Sequence, residues 1–177
     1  RGTAGGIHGF PDAKIYLYNS EISNNSNTSY GAGFYLRENS TGLMVNCLLV
    51  GNSSTSLNGG GAVMLYDDSS LDIISSTITG NEIPGPGAGV YRRQKVNKLT
   101  VINSIIAGNK QGSGSNDIDA HADNVATVPL LKSSVIATQV YGESGSLDLG
   151  WSFNASSMLS AQFLPVGANN PALTQGL

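Results

Sequence analysis

Asn103-Ser104-Ile105-Ile106-Ala107-Gly108-Asn109 has three relatives upstream: Asn19-Ser20-Glu21-Ile22-Ser23-Asn24-Asn25, Asn46-Cys47-Leu48-Leu49-Val50-Gly51-Asn52 and Ser75-Ser76-Thr77-Ile78-Thr79-Gly80-Asn81. Their last residues, Asn25, Asn52, Asn81 and Asn109, are spaced by 27, 29 and 28 residues. A second landmark keeps the same register. Ala4-Gly5-Gly6-Ile7, Gly31-Ala32-Gly33-Phe34, Gly60-Gly61-Ala62-Val63 and Gly87-Ala88-Gly89-Val90 place their apolar residue 18, 18, 18 and 19 residues before the terminal Asn. Two landmarks in step over four copies identify an internal repeat.

Each copy holds three short extended segments. The first covers residues 7–10, 34–37, 63–66 and 90–93. The second covers 15–18, 42–45, 71–74 and 99–102, with Leu17, Met44, Ile73 and Val101 aligned. The third contains Ile22, Leu49, Ile78 and Ile106. Short runs of apolar and β-branched residues split by Gly, Asn and Ser read as strands and turns. No segment keeps a 3.6-residue apolar period. One copy cannot bury its own apolar face, whereas stacked copies bury each other's. The expected fold is therefore all-β: a right-handed parallel β-helix of about five coils of 27–30 residues, with equivalent residues about 4.8 Å apart. The terminal Asn column should form an amide ladder at a turn where Asn tolerates left-handed backbone. The Gly triplets mark the tight bend before the first strand.

A degraded fifth copy follows. Pro129 to Gln139 lies over Leu99 to Asn109, with Ser133 for Asn103, Ile136 for Ile106 and Gln139 for the ladder Asn. Gly112–Asn116 reads as an inserted loop, and Asp117-Ile118-Asp119 opens the fifth coil. The domain division is 1–139 for the coils and 140–177 for an irregular tail or cap. In that tail Trp151, Phe153, Met158, Leu159 and Phe163 would cover the last rung. With no equivalent cap before Ala4, the expectation is further coils upstream or pairing through that end. Arg1 at the start reads as a processed or trimmed piece of something longer.

Charged residues make up 12% of the chain and the net charge is −3, so nothing marks a nucleic-acid or anionic-membrane surface. No apolar run nears 18 residues, so no membrane-spanning segment is expected. Cys47 is alone, which leaves no intrachain disulfide or Cys-based metal site; inside a repeat it reads as a small buried hydrophobe.

The pairing of Gly60-Gly61-Ala62-Val63 with Ile78-Thr79-Gly80-Asn81 resembles the repeats of bacterial polymorphic outer membrane proteins and related pectin-lyase-like β-helices. Gly167-Ala168-Asn169-Asn170-Pro171-Ala172-Leu173 resembles the ending of secreted choice-of-anchor β-helix proteins, with Thr174 where that ending has Asp. The resemblance covers about residues 4–139. It implies an exported bacterial protein, secreted or on the cell surface, and leaves its activity open among lyases, hydrolases, adhesins and stalks.

Two surfaces are candidates for function. If Ile7, Phe34, Val63 and Val90 point inward, then His8, Tyr35, Met64 and Tyr91 point outward, as do Phe10, Arg37, Tyr66 and Arg93. Tyr35, Arg37, Tyr66, Tyr91 and Arg93 are the ligand-binding candidates, because rings offer platforms to sugars and Arg a polar anchor. The same pattern also suits plain packing of a sheet face. Asp67-Asp68 is the one paired carboxylate in the regular coils. Stacking would bring Arg37-Glu38 and Arg92-Arg93 close to it. Asp67, Asp68, Arg37 and Arg93 could then serve a lyase or hydrolase of acidic polysaccharide, the only reading that calls for Ca²⁺, or form an exposed ion-pair row. His8 and His121 lie too many coils apart to share a metal. No catalytic constellation is otherwise legible. The expected function is a non-catalytic adhesin, stalk or glycan-binding segment, with polysaccharide or cell-surface glycan as partner and end-to-end or side-by-side self-association.

Overall fold

Short strands, each followed by a residue that tolerates left-handed backbone, make the chain turn repeatedly in one plane and then climb. The computed structural model describes residues 4–94, 98–121, 130–132, 134–136 and the backbone of 153–154. The first coil runs through β1 (Ile7–Gly9), β2 (Lys14–Tyr18), β3 (Glu21–Ser23) and β4 (Ser26–Asn27). The second repeats this as β5 (Phe34–Leu36), β6 (Thr41–Val45), β7 (Leu48–Val50) and β8 (Ser53–Ser54). The third has β9 (Val63–Leu65), β10 (Ser70–Ile74), β11 (Thr77–Thr79) and β12 (Glu82–Ile83). The fourth has β13 (Val90–Arg92), β14 (Lys98–Ile102), β15 (Ile105–Ala107) and β16 (Lys110–Gln111). Equivalent strands pair in parallel up the stack, for example Leu17 with Met44, Met44 with Ile73 and Ile73 with Val101. The fold is an all-β parallel solenoid, as the repeat predicts.

Each coil holds four strands where the sequence pattern suggests three. The fourth is two residues long and, apart from Ile83, carries no buried aliphatic side chain, so hydrophobic periodicity does not reveal it. The coil count is also lower: four complete coils and a partial fifth. The latter consists of β18 (Ile118–Ala120), β19 (Leu130–Lys132) and β20 (Val135–Ile136), in the first three stacks. Leu131 lies beside Val101 and Ile136 beside Ile106, as expected. Gly112–Asn116 is not simply a loop. β17 (Gly114–Ser115) returns antiparallel to β16 through Gly112, whose φ is 54°. In the tail, β21 (Phe153–Asn154) continues the third stack beside β20. Gln139 and the capping residues proposed after Tyr141, Phe153's side chain included, lie outside the described residues.

Alternate side chains point into the bore. Phe34, Val63, Val90 and Ile118 form one buried column, and Leu49, Ile78 and Ile106 another. Burying each such side chain contributes about 1.5–3 kcal/mol. Gly42 sits in an inward column because a Cβ there would meet Leu71 Cδ1 at 2.8 Å and Leu36 Cδ1 at 2.9 Å. Arg92 also points inward, stacked on Leu65 and fully buried, so it does not join an outer ion-pair row with Arg93.

The Asn ladder forms. Asn25 Nδ2 donates to Asn52 Oδ1 (2.9 Å), Asn52 Nδ2 to Asn81 Oδ1 (2.9 Å) and Asn81 Nδ2 to Asn109 Oδ1 (2.8 Å). Each of these Oδ1 atoms also accepts the backbone N–H of the Asn before it in the ladder. Asn109 in turn donates its backbone and side-chain N–H to Oδ1 of Asp117 (3.0 and 2.7 Å), which stands over Gly89 in the turn before Ile118. The left-handed residue at this corner is not the ladder Asn but the one before it: Asn24, Gly51, Gly80 and Gly108, with φ of 54°, 66°, 63° and 72°. A second corner has Asn19, Asn46, Ser75 and Asn103 left-handed, followed by a Ser column. There Ser76 N–H donates to Ser104 Oγ (3.0 Å) and Ser104 N–H to Ser134 Oγ (3.1 Å). Cys47, buried, occupies a position in this column; its N–H donates to Ser76 Oγ (3.0 Å) and its thiol lies within donating distance of Val45 O (3.4 Å) and Leu17 O (3.5 Å).

Candidate functional site

The outer face of the first stack is where the aromatic and arginine residues gather. His8, Tyr35, Met64 and Tyr91 alternate with the inward residues and share one column, as their register requires. They are not an open platform. Tyr35 is 2% exposed, Met64 0% and Tyr91 6%. The chain entering each coil folds back over them. Glycines make this approach feasible: a Cβ on Gly31 would meet Tyr35 Cβ at 2.8 Å, and one on Gly87 would meet Tyr91 Cβ at 2.4 Å. Both glycines have left-handed φ, 50° and 64°. Tyr35, Met64 and Tyr91 thus form a second small core, with Ala4, Tyr30 and Tyr66 packed on it. Of the five ligand-binding candidates, Tyr35 and Tyr91 are buried by this cover, while Arg37, Tyr66 and Arg93 remain partly exposed.

These partly exposed residues close the face on its far side. The Arg93 guanidinium carbon lies 4.9 Å from the ring centre of Tyr30 and 5.4 Å from that of Tyr66. Such contacts are worth about 0.5–2 kcal/mol and hold the guanidinium plane in place. From Tyr30 the rings continue: Tyr35 at 5.9 Å, then His8 at 4.7 Å from Tyr35, then Phe10 at 4.3 Å from His8. Phe10 ends the band and is 64% exposed. Tyr30 was not singled out by the repeat, because only the second copy has an aromatic residue before its Gly triplet.

The electrostatics favour the uncharged forms of Tyr35, Tyr91 and His8. Burial pushes the Tyr35 hydroxyl up to about 12, with Arg37 pulling back and Tyr30 and Tyr66 adding to the rise. Tyr91 is raised by burial and then by Asp119. His8 is lowered by burial and then by Arg37, so it is neutral at pH 7. The ionisable groups beside these rings are Arg93, held between rings, Arg37, which pairs with Glu38, and Asp119, which stacks beside Tyr91 and whose carboxyl is pushed up by burial.

Asp67 and Asp68 are turn residues. Both are left-handed, with φ of 51° and 58°, and they follow the first strand as Glu38 and Asn39 do, at 51° and 61°. Asn39 N–H donates to Asp67 O (3.0 Å) and Asp67 N–H to Gln94 O (2.8 Å). Short polar side chains suit this backbone, which accounts for the carboxylate pair without chemistry. Among the described residues Asp67 forms no ion pair with Arg37 or Arg93. Arg93 lies against the rings, and Arg37 pairs with its sequence neighbour Glu38. No group of three His, Cys, Asp or Glu among the described residues could hold a metal ion.

Open grooves lie elsewhere among the described residues. One of about 430 Å³ follows the corner between the second and third stacks, over Asn19, Asn46 and Ser75. One of about 710 Å³ follows the fourth stack, lined by Ser26, Thr28, Ser53, Thr55, Glu82 and Pro84. Among the described residues no helix is long and apolar enough to cross a membrane.

The sequence profile of the family described as "right handed beta helix region" matches residues 2–125 of the chain. No curated protein and no solved structure matches it.

Proposed function

From the premise that the chain belongs to the right-handed β-helix family, we propose that it is a non-catalytic segment of a secreted or cell-surface bacterial protein that binds glycan on the outer face of its first stack. One observation carries this reading: Arg93 is clamped between Tyr30 and Tyr66, leaving a partly exposed, fixed set of ring faces and guanidinium N–H groups. Rings cover the apolar faces of a sugar, and a fixed guanidinium donates to its oxygens with little entropy left to lose. The export part of the proposal is supported by the resemblance of the repeats to polymorphic outer membrane proteins.

A glycan array with the full chain, followed by calorimetry on any hit, tests the reading. Tyr66→Ala and Arg93→Ala should each weaken binding at least about tenfold. An array with no hit, or a hit that both variants retain, overturns it. The alternative, a lyase or hydrolase of acidic polysaccharide working through Asp67 and Asp68 with Arg37 and Arg93, predicts turnover or Ca²⁺ binding that Asp67→Ala abolishes. Their left-handed turn backbone favours the scaffold role instead.

A further inference from the structure

We propose that Asn58 and Gly59 form a self-modifying site: Asn58 loses its side-chain amide as ammonia through a cyclic imide, and the isoaspartyl product loosens the cover over Tyr35, Met64 and Tyr91. Water is the only co-reactant. The inference does not rest on glycan binding.

Asparagine is among the thermolabile residues. Its side chain reacts when the next backbone nitrogen reaches Cγ, and a following glycine puts no side chain in the way. Asn58-Gly59 is the one Asn-Gly pair in the sequence. The fold adds three features. Asn58 is exposed. Its carboxamide is held among the described residues by Ser56 Oγ alone, at 3.0 Å, whereas the Asn81 carboxamide makes five bonds inside the buried ladder. Gly59 N–H donates to no acceptor among the described residues, although Gly60 N–H donates to Pro86 O (3.0 Å) and Gly61 N–H to Gly87 O (3.1 Å).

Other exposed asparagines lack that last feature. The N–H after Asn24 donates to Asn52 Oδ1 (3.1 Å), and the N–H after Asn39 to Arg37 O (3.3 Å). The N–H after Asn46 donates to Ser76 Oγ (3.0 Å), and the N–H after Asn103 to Ser134 Oγ (3.1 Å). In each case the attacking nitrogen must first give up a bond.

The step balances with one water. Gly59 N gives its proton to solvent and bonds to Asn58 Cγ. The Cγ–Nδ2 bond breaks, and Nδ2 takes a proton from solvent and leaves as ammonia. Water then opens the imide at either carbonyl. Opening at Cγ breaks its bond to Gly59 N and leaves aspartate. Opening at the main-chain carbonyl leaves the chain running through Cγ, an isoaspartate. Either product carries a carboxylate, so the chain becomes one unit more negative than its formal −3.

The isoaspartyl linkage adds a backbone atom where space is tight. Gly59 lies against Tyr91: a Cβ on it would meet Tyr91 Cδ1 at 2.3 Å and Pro86 O at 2.8 Å. Counted back from the Phe34–Val63 and Val63–Val90 pairs, Tyr30 stands on one side of Gly59 in the stack and Pro86 on the other. The next residue, Gly60, accepts from Ala32 N–H at 3.1 Å and donates to Pro86 O at 3.0 Å. A longer link before Gly60 pushes it out of this register, and the cover it anchors lifts from the small core beneath.

The test keeps the full chain in warm, mildly alkaline buffer, folded or in urea. Peptide mass spectrometry follows each asparagine, and isoaspartyl methyltransferase labelling identifies the isomer. In the folded chain Asn58 should convert at least about tenfold faster than Asn24, Asn39, Asn46 or Asn103, and Asn58→Gln, which needs a larger ring, should fall to their level. In the separated isoaspartyl form the amides of Gly60 and Ala32 should exchange hydrogen at least about tenfold faster than in the parent chain, with the Asn81 amide unchanged. Asn58→Asp carries the charge without the extra backbone atom and should keep the parent rates. Conversion in urea but not in the fold, or faster conversion at one of the other four asparagines, overturns the proposal. So does unchanged exchange at Gly60, equal acceleration at Asn81, or the same acceleration in Asn58→Asp.

Discussion

Replacing Asn81 with alanine tests how far the amide ladder holds neighbouring coils together. The Asn81 amide donates to Asn109 Oδ1 at 2.8 Å, to Leu49 O at 3.0 Å and to Thr79 O at 3.0 Å. Its Oδ1 accepts the backbone and side-chain N–H of Asn52, both at 2.9 Å. Four of these five bonds cross between coils, and Asn81 is fully buried. Each is worth about 1 kcal/mol net, and a buried donor left unsatisfied costs about 1–3 kcal/mol, so the expected loss is about 3–5 kcal/mol. Against a total on the order of 5–15 kcal/mol this is a large fraction. Urea unfolding followed by circular dichroism measures it as a fall in midpoint with the slope unchanged. Asn46→Gly is the matched control. It removes an exposed amide bond, Asn46 Nδ2 to Asn19 Oδ1 at 2.7 Å, while glycine keeps the left-handed backbone. Its cost should stay within about 0.5–1 kcal/mol. Asn81→Ala costing less than about 1 kcal/mol, or no more than Asn46→Gly, would refute the claim that the buried ladder clamps the stack.

Three further outcomes are expected. Tyr35 holds its proton to about 12 in the fold against an ordinary value of 10.0, so its contribution is whole below about pH 10 and is lost as the pH rises through 12. Tyr35→Phe should therefore lose less stability than the parent chain between about pH 9 and pH 12, and equal losses in urea midpoint would count against a buried phenol. Cys47→Ser places a hydroxyl in a column where Ser76 Oγ and Ser104 Oγ already donate to carbonyls at 2.8 Å, so stability should hold within about 0.5 kcal/mol or rise; a large fall in melting temperature would mean the thiol is there for its bulk. Asp67→Gly should leave stability level or raise it by up to about 1 kcal/mol, because glycine adopts a φ of 51° without strain; lost glycan binding in this variant would place Asp67 in a site after all.

Much of the scaffold is legible because burial writes itself into spacing. Ile78 must lie over Leu49 and under Ile106, and a residue with those neighbours has to recur once per coil. The ladder Asn recurs for the same reason, since an amide buried without its fellow is costly. What escapes the pattern is whatever leaves no periodic side chain. The two-residue fourth strand is held by backbone bonds such as Glu82 N–H to Asn52 O at 2.9 Å, which any residue except proline can make. The left-handed corner is filled by Asn24, Gly51, Gly80 and Gly108, so its column looks mixed although its backbone is uniform. Asp117 meets Asn109 from only eight residues further on, at the place Gly89 holds in the coil before, so a search for ladder residues at coil spacing steps over it.

The candidate site was legible in composition but not in exposure. Alternation correctly sends Tyr35 and Tyr91 out of the bore, yet outward is not the same as solvent-facing once a glycine-lined segment folds back over the sheet. Which rings stay accessible is decided by that return path, and it depends on residues such as Gly31 and Tyr30 that belong to the turn and not to the strand. The same distinction separates the two outer faces. On the first stack the returning chain turns three outward side chains into a second core and leaves an edge of Tyr66, Arg93 and Phe10. On the second stack Tyr16, at the same kind of outward position, is 57% exposed. One solenoid thus carries one outer face partly covered by returning chain and one on which Tyr16 and Tyr18 stay exposed in the same stack as the Lys98–Asp72 ion pair.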